Sequence, residues 1–185
     1  MTPETISKAL MHQLLKIGSS LSSEKDIDQL LQNILQAAMQ ITNADAGSLY
    51  RVTEDKTLKF EILMTNSKGV HLGGKSGKPI SFLPIPLFKE DQSPDLGKVA
   101  CYAVHKDQTV NIPDAYNAPG FDFSGTQKFD VANHYRSTSF LTVPMKNHES
   151  EIIGVLQLIN ATDENTGKVI PFSTQDQEIV EALAS

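Results

Sequence analysis

Hydrophobic positions in the N-terminal part of the chain recur at intervals of three and four residues, the spacing that lines one face of an α-helix. The first stretch carries one narrow stripe, formed by Ile6, Leu10, Leu14, Ile17 and Leu21. After Asp26, a residue type that caps helix N-termini, a wider apolar face extends from Ile27 to Ala38. These patterns predict two helices. The second packs on a core, and the first, over residues 4–21, pairs through its stripe with the same helix of a second copy.

Farther along the chain, the apolar residues fall into the short runs that are typical of β-strands. The runs 46–52 and 58–64 flank a short polar connection, and so do the runs 140–145 and 152–159. Connections of this length join antiparallel neighbours. Together with a brief strand at 109–112 and helices at both ends of the chain, the runs predict an α+β fold.

Two long segments, 65–94 and 113–135, show neither period and are rich in glycine and proline, so we predict loops there. Loops of this length in a compact domain are more often functional than idle. A short helix is predicted from Ser93-Pro94 onward. A closing helix begins at Ser173 in a pattern similar to a capping box, and we expect it to continue in a longer protein from which this chain is a piece.

The composition narrows the class of partner. Hydrophobic residues make up 39% of the 185 residues, which is enough for a packed core, and the net charge of −6 disfavours nucleic acid and anionic membranes as partners. The lone cysteine, Cys101, excludes an internal disulfide and fits a reducing compartment. We find neither an apolar run of membrane-spanning length nor a secretion signal. We therefore expect a cytoplasmic protein.

Two motifs suggest enzyme chemistry, but their context favours structural roles. Residues 69–76 (GVHLGGKS) match the P-loop pattern, yet the prolines that follow forbid the helix that this phosphate site needs directly after the loop. Cys101 and His105 lie four residues apart on a predicted helix, but the apolar neighbours of Cys101 favour an inert buried thiol over a catalytic pair. Histidines and carboxylates lack metal-ligand spacing. The sequence thus predicts no catalytic residue and no metal site.

The second irregular segment mixes aromatic residues with short hydrogen-bonding side chains and runs into the strand 140–145. A pocket lid needs this mixture, because aromatic rings supply stacking area and polar groups read donors and acceptors. The alternative is a surface loop held down by Phe121, Phe129 and Tyr135. Composition alone leaves both interpretations open.

Four blocks of sequence, taken in order, resemble a GAF domain, a sensory module of cyclic-nucleotide phosphodiesterases, adenylyl cyclases and bacterial signalling proteins. They are VNIPDAY (110–116), FD (129–130), YRSTSFLTVPM (135–145) and IGVLQLIN (153–160). The resemblance implies a six-stranded antiparallel GAF/PAS-like sheet with helices on one face and a ligand-pocket lid on the other. It divides the chain into a signalling and dimerisation helix, residues 1–25, and a GAF domain, residues 26–185.

The resemblance also implies a cyclic nucleotide, cyclic AMP or cyclic GMP, as the candidate ligand. The residues that it places at the ligand are Ser48, Val99, Ala100, Asp130, Asn133, Ser137 and Gln157. The family's Asn-Lys…Phe-x-x-x-Asp-Glu signature is partly present, with Asn160, Phe172 and Asp176 in place. Ala161 replaces the lysine that ordinarily pairs with this aspartate, and Gln177 replaces the glutamate.

These features predict a non-enzymatic regulatory domain of a bacterial-type signal transduction protein that senses a small molecule. As a homodimer, it would transmit the signal through its terminal helices to a covalently linked output domain, such as a phosphodiesterase, cyclase or kinase. The alternative is a dimerisation scaffold with a degenerate, non-binding pocket, an interpretation that the missing lysine favours.

Overall fold

The computed structural model describes residues 8–185, with side-chain surroundings from Leu10 onward. The described part contains five α-helices and eight strands. In chain order they are α1 Lys8–Ser23, α2 Ile27–Thr42, β1 Ala44–Val52, β2 Thr57–Thr65, β3 Val70–Gly73, β4 Ile85–Pro86, α3 Val99–Lys106, β5 Val110–Ile112, α4 Ser124–Asn133, β6 Phe140–Lys146, β7 Ile152–Thr162, β8 Val169–Ile170 and α5 Thr174–Leu183. A turn of 3₁₀-helix at Ala115–Asn117 precedes α4.

The strands form one antiparallel sheet in the order β3-β2-β1-β7-β6-β5. The two-residue strands β4 and β8 add to it by pairing with β2 and β7. The predicted fold class is confirmed, since six strands form the continuous sheet, and both predicted hairpins are present. β1 lies between β2 and β7, which places Ser48 beside Leu63 on one side and Gln157 on the other.

One face of the sheet packs closely against α2 and α5. Leu35 and Met39 of α2 and Val180 of α5 lie in one cluster with Leu49 and Leu156 of the sheet, all of them buried. A side chain at Gly47 would place a Cβ 2.7 Å from Leu35 Cδ1. This face is therefore packed so closely that not even a methyl group could be added there without movement.

The helix caps follow the local sequence signals. The Asp26 carboxylate accepts the backbone N–H groups of Asp28 and Gln29, which starts α2. At α5, Ser173 and Asp176 form a capping box in which aspartate replaces the usual glutamate or glutamine. Both predicted helix starts are confirmed.

The opposite face differs from the prediction, because it also carries helices. The segment predicted as the loop 113–135 contains α4, and the segment 65–94 contains β3 and β4. The predicted helix start at Ser93-Pro94 is wrong, because Pro94 pairs with Phe88 in an isolated bridge and α3 begins at Val99. α4 lacks an apolar stripe, since only Asp130 among its residues is buried.

α1 lies beside α2, and part of its apolar stripe is covered by its own chain. Leu21 packs against the core cluster that α2 forms, and Leu14 and Ile17 are partly buried. Met11 and Leu15 are exposed, with Leu15 at 66%. Ile6 of the predicted stripe lies outside the described residues.

Candidate functional site

A cavity of about 590 Å³ lies between the sheet and α4. β1, β2 and β7 form its floor, through residues that include Ser48, Tyr50, Phe60 and Gln157. The first half of α4 forms its roof, and the segment 82–86 closes one side. A volume of this size is typical of sites that bind small molecules.

Five of the seven residues that the family resemblance places at the ligand line this cavity. They are Ser48, Val99, Ala100, Ser137 and Gln157. Asp130 and Asn133, at the far end of α4, are not part of the lining.

A buried hydrogen-bond chain crosses the floor. The Tyr50 hydroxyl donates to Gln157 Oε1 at 3.2 Å, and Gln157 Nε2 donates to Thr142 Oγ1 at 3.0 Å. Burial raises the pKa of Tyr50, so this phenol stays protonated and remains a donor. Both the oxygen and the nitrogen of the Gln157 side-chain amide are thus hydrogen-bonded within the protein, which fixes the orientation of the amide.

Four aromatic rings form a wall from the floor of the cavity to its roof. Tyr50 contacts Phe60 with ring centroids 4.5 Å apart, Phe60 contacts Phe82 at 5.4 Å, and Phe82 contacts Phe129 edge-on at 6.0 Å. Phe82 is 43% exposed, so the wall reaches the solvent beside α4. Sequence reasoning missed Phe60 and Phe82, because they meet the lid only through the fold.

Two helix N-termini meet the cavity at one end. Val99 and Ala100 begin α3, Ser124, Gly125 and Thr126 begin α4, and all five line the cavity. Neither helix has a side-chain hydrogen bond from its capping residue, Lys98 or Phe123. This end of the cavity therefore offers backbone N–H groups and the positive ends of two helix dipoles.

Lys98 and Asp122 carry the charges at this end. Lys98 lines the cavity and pairs with Asp95 at 3.3 Å, and its side chain is about half exposed. The Asp122 carboxylate accepts the N–H of Ser124 at 2.9 Å, and its bonds to Ser124 hold the pKa of Asp122 below its usual value. Asp122 thus accepts a hydrogen bond from one N–H group at the start of α4 and does not engage the N–H groups of the residues that follow.

Asp130 is a buried hub that secures α4 to the segment after it. The side chain is 2% exposed. One oxygen accepts the Tyr116 hydroxyl at 2.7 Å and the Ser137 N–H at 2.9 Å, and the other accepts the Ser137 hydroxyl at 2.7 Å. The hydrogen bond to Asp130 raises the pKa of Tyr116. Asn133, in contrast, is exposed, and its Nδ2 donates to the Phe129 carbonyl of the same helix at 2.9 Å.

Asn160, the first residue of the family signature, connects the same segment to β7. Its backbone is left-handed, with φ of 61°, and its Oδ1 accepts the Thr138 N–H at 2.7 Å. Its Nδ2 donates to the Tyr135 hydroxyl at 3.0 Å and to the Arg136 carbonyl at 2.8 Å. Tyr135 in turn donates to Asp45 Oδ2 at 2.7 Å. A buried amide thus fixes the chain between α4 and β6.

The rest of the signature belongs to the packed face of the sheet. Phe172 is buried in the core cluster, and Ala161, at the lysine position, is 1% exposed in the same cluster. Asp176 accepts the Ser173 N–H at 2.9 Å. The carboxylate that pairs with lysine in the family resemblance is therefore used here to cap α5.

Cys101 and His105, one of the two enzyme-like motifs, make structural contacts. Burial raises the pKa of Cys101 to about 11, and its thiol faces the Pro86 carbonyl at 3.5 Å. His105 Nε2 lies 2.6 Å from the Leu87 carbonyl, so this nitrogen is a donor and not a free base.

Within the described part of the chain, no three His, Cys, Asp or Glu side chains are grouped to hold a metal ion. Among the described helices, none is long and apolar enough to cross a membrane.

The P-loop-like segment binds α2. It forms β3 and a turn, and the chain then continues in an irregular segment to β4. The Lys75 N–H donates to Gln32 Oε1 at 2.9 Å, and the Lys75 ammonium pairs with the Asp26 carboxylate. A Cβ at Gly73, where φ is +70°, would lie 2.0 Å from the Glu61 carbonyl oxygen. Glycine here is needed for close backbone approach.

Comparison with protein families and curated proteins points to one family. The family model described as GAF domain matches residues 26–185. The chain is 29% identical over 167 residues to the dual 3',5'-cyclic-AMP and -GMP phosphodiesterase 11A of Takifugu rubripes, covering 90% of this chain and 17% of that protein. It is 28% identical over 169 residues to a cGMP-specific 3',5'-cyclic phosphodiesterase of Drosophila erecta, covering 89% and 14%. The chain thus spans less than a fifth of these relatives.

Solved structures share the fold at lower identity. The GAF domain of a phosphoenolpyruvate-protein phosphotransferase from Acinetobacter matches with a TM-score of 0.64 and 15% identity, over 97% of this chain and 90% of that one. A free methionine-R-sulfoxide reductase from Neisseria meningitidis, solved with its substrate, matches with a TM-score of 0.61 and 20% identity, over 100% and 92%. The same fold therefore occurs in the GAF domain of a phosphotransferase and in a methionine sulfoxide reductase.

Proposed function

Because the chain belongs to the GAF domain family, whose members are mostly regulatory domains that sense small molecules, we propose that its cavity binds a cyclic nucleotide. The observation that carries this proposal is the cavity of about 590 Å³ beneath α4, with an aromatic wall along one side and two helix N-termini at one end. Flat heteroaromatic rings stack on aromatic side chains, and phosphate groups bind at helix N-termini. Both parts of a cyclic nucleotide thus find a matching surface.

The relatives support the choice of ligand. Their names describe phosphodiesterases that act on cyclic AMP and cyclic GMP, or on cyclic GMP. Of the residues that the resemblance places at the ligand, those that line the cavity keep their proposed role. We propose indirect roles for Asp130 and Asn133, because their side chains bond within the protein.

The domain would act as a regulator without chemistry of its own. The packed thiol of Cys101 and the engaged His105 support this proposal. We propose that residues 26–185 sense the ligand, that residues 1–25 signal and dimerise, and that a linked output domain acts on the signal. We also propose that the domain is cytoplasmic and that it belongs to a bacterial-type signal transduction protein.

The P-loop-like segment offers a route for the signal. Phe82, six residues after this segment, lines the cavity, while Lys75 binds both the cap and the body of α2 through Asp26 and Gln32. A ligand that favours one position of Phe82 would thereby shift the relative populations of the conformations at the junction between α1 and α2. This junction leads into the proposed signalling helix.

Calorimetric titration of the chain with cyclic AMP and with cyclic GMP tests the proposal. We expect saturable binding of at least one of them. Thr126→Trp, which fills the cavity from α4, should abolish it, and Gln127→Trp, on the exposed side of the same helix, should not. Absence of binding heat for both nucleotides at millimolar concentration would contradict the proposal.

A second candidate is the dimerisation scaffold with a degenerate pocket. The exposed Leu15 and Met11, beside the predicted stripe of α1, favour an apolar contact with a second copy. Leu14→Glu should then shift the mass measured by light scattering from dimer to monomer, whereas Lys16→Glu should leave it unchanged. A dimer that survives Leu14→Glu would contradict the predicted stripe.

A further inference from the structure

Residues 79–84, which we call the strap, run beside the cavity into β4. Both ends of the strap are held, because the Lys78 carbonyl accepts the Gly73 N–H at 2.7 Å and Ile85 pairs with Leu58 of β2. Between these anchors, no hydrogen bond within the described part of the chain involves residues 79–84. All of them except Ile80 are exposed. The strap can therefore change position without breaking a hydrogen bond of its own.

The strap contributes to the walls of two cavities. Phe82, Leu83 and Pro84 line the large one, whereas Pro79 and Ile80 line a smaller one of about 300 Å³. Phe60 lines both, so the two cavities are neighbours. Because empty space already flanks the strap, its movement need not disturb the packed core.

Phe82 spans the gap between the floor of the large cavity and its roof. Its ring centroid lies 5.4 Å from that of Phe60 on β2, and 6.0 Å from that of Phe129 on α4, which it meets edge-on. Phe82 lines the cavity and is also 43% exposed, so its ring lies at the boundary between the cavity and the solvent. The contact between Phe82 and Phe129 thus closes the cavity between the strap and α4.

We propose that the strap is a gate and that Phe82 is the side chain that closes it. The inference rests on the proposed binding of a cyclic nucleotide in this cavity. The gate is closed while Phe82 contacts Phe129, and a nucleotide enters or leaves while the strap has carried Phe82 away from α4. Phe82 thereby controls the rate at which the ligand exchanges, a role distinct from that of the residues that hold the ligand.

The strength of the contact between Phe82 and Phe129 determines how often the gate opens. An aromatic pair of this geometry corresponds to at most about a tenfold change in an equilibrium constant. Since only the open form can take up a ligand, the contact slows association by a similar factor. A ring that merely touches a bound ligand behaves differently, because its loss speeds dissociation and leaves association nearly unchanged.

Stopped-flow fluorescence with the 2-aminopurine analogue of cyclic AMP measures both rate constants. The chain contains no tryptophan, so the probe can be excited selectively. We expect Phe82→Ala to raise the association rate constant about tenfold and the dissociation rate constant at least as much. Ser81→Ala is the matched control, because Ser81 belongs to the same strap but does not line the cavity, and it should leave both rate constants unchanged.

A second variant locates the closing contact. Phe129→Ala removes the other ring of the pair and should raise the association rate constant to the same extent. If the contact between the two rings closes the gate, the double variant should bind no faster than either single variant. Increases that multiply in the double variant would place the closing contact elsewhere and overturn the inference.

The outcomes separate the gate from the proposed function. An association rate constant in Phe82→Ala equal to that of the wild type would overturn the gate, whether or not dissociation is faster, and would leave the cavity as the binding site. Failure of the wild-type chain to bind the probe, cyclic AMP and cyclic GMP would overturn the proposed function and the gate together.

Discussion

On one face of the sheet, α2 places Leu35 and Met39 directly against β1 and β7, whereas on the other face α4 lies over an open cavity. The two helices differ in sequence for this reason. α2 shows a wide apolar stripe because one whole side is buried, while α4 presents polar residues and Phe129 to a space that a ligand can fill. Hydrophobic periodicity reports packing, so a helix that covers a binding site loses the pattern by which helices are recognised.

The largest expected difference between the two faces is in how much a substitution lowers the free energy of unfolding. Leu35→Ala leaves a void in the packed face and should lower the free energy of unfolding by about 3 kcal/mol. Phe129→Ala widens a cavity that already exists, and should cost about 1 kcal/mol. Urea denaturation of both variants measures the difference. Equal losses of free energy of unfolding would contradict the proposed contrast between the packed face and the cavity face.

The effect of Asn160, which holds the segment between α4 and β6, on the free energy of unfolding should rank next. Asn160→Ala removes three hydrogen bonds and puts a strained residue at φ of 61°, so we expect a loss of about 3 kcal/mol in the free energy of unfolding. Asn160→Gly removes the same bonds without the strain and should recover about 1 kcal/mol. Asn165→Ala, on an exposed turn, is the control and should change little; a comparable loss there would show that Asn160 has no special role.

The smallest effect concerns acid stability at the start of α2. The hydrogen bond to Lys75 holds the pKa of Asp26 below its usual value, so this contribution to stability is present near neutral pH and is lost as the pH falls below about 4. Asp26→Asn keeps a capping side chain but removes the charge. Its melting temperature should therefore fall less than that of the wild type between pH 5 and pH 2. Parallel acid curves would contradict the role of this ion pair.

Local signals in the sequence predicted the parts of the fold that depend on near neighbours. The cap at Asp26, the capping box at Ser173 and Asp176, and the hairpins all lie within a few residues of the groups that they bond. The family resemblance added residues of the cavity floor, such as Gln157, through the order of the blocks.

The parts that the sequence did not reveal depend on long-range contacts. Asp130 resembles a ligand residue in its sequence position, and only the folded chain brings Tyr116 and Ser137 to its two oxygens. The bond from Tyr135 to Asp45 joins residues 90 positions apart. No local pattern contains such a pairing, and for the same reason the aromatic wall through Phe60 and Phe82 could not be predicted.

The proposed function requires that α4 covers a ligand site while α2 is part of a solid core. Hydrogen–deuterium exchange of the chain, with and without saturating cyclic AMP or cyclic GMP, tests this most directly. We predict that one of the nucleotides slows exchange in α4 and in the segment 82–86 at least tenfold, and leaves the core of α2 around Leu35 unchanged. Exchange in α4 that neither nucleotide alters would contradict the proposal that α4 covers a ligand site.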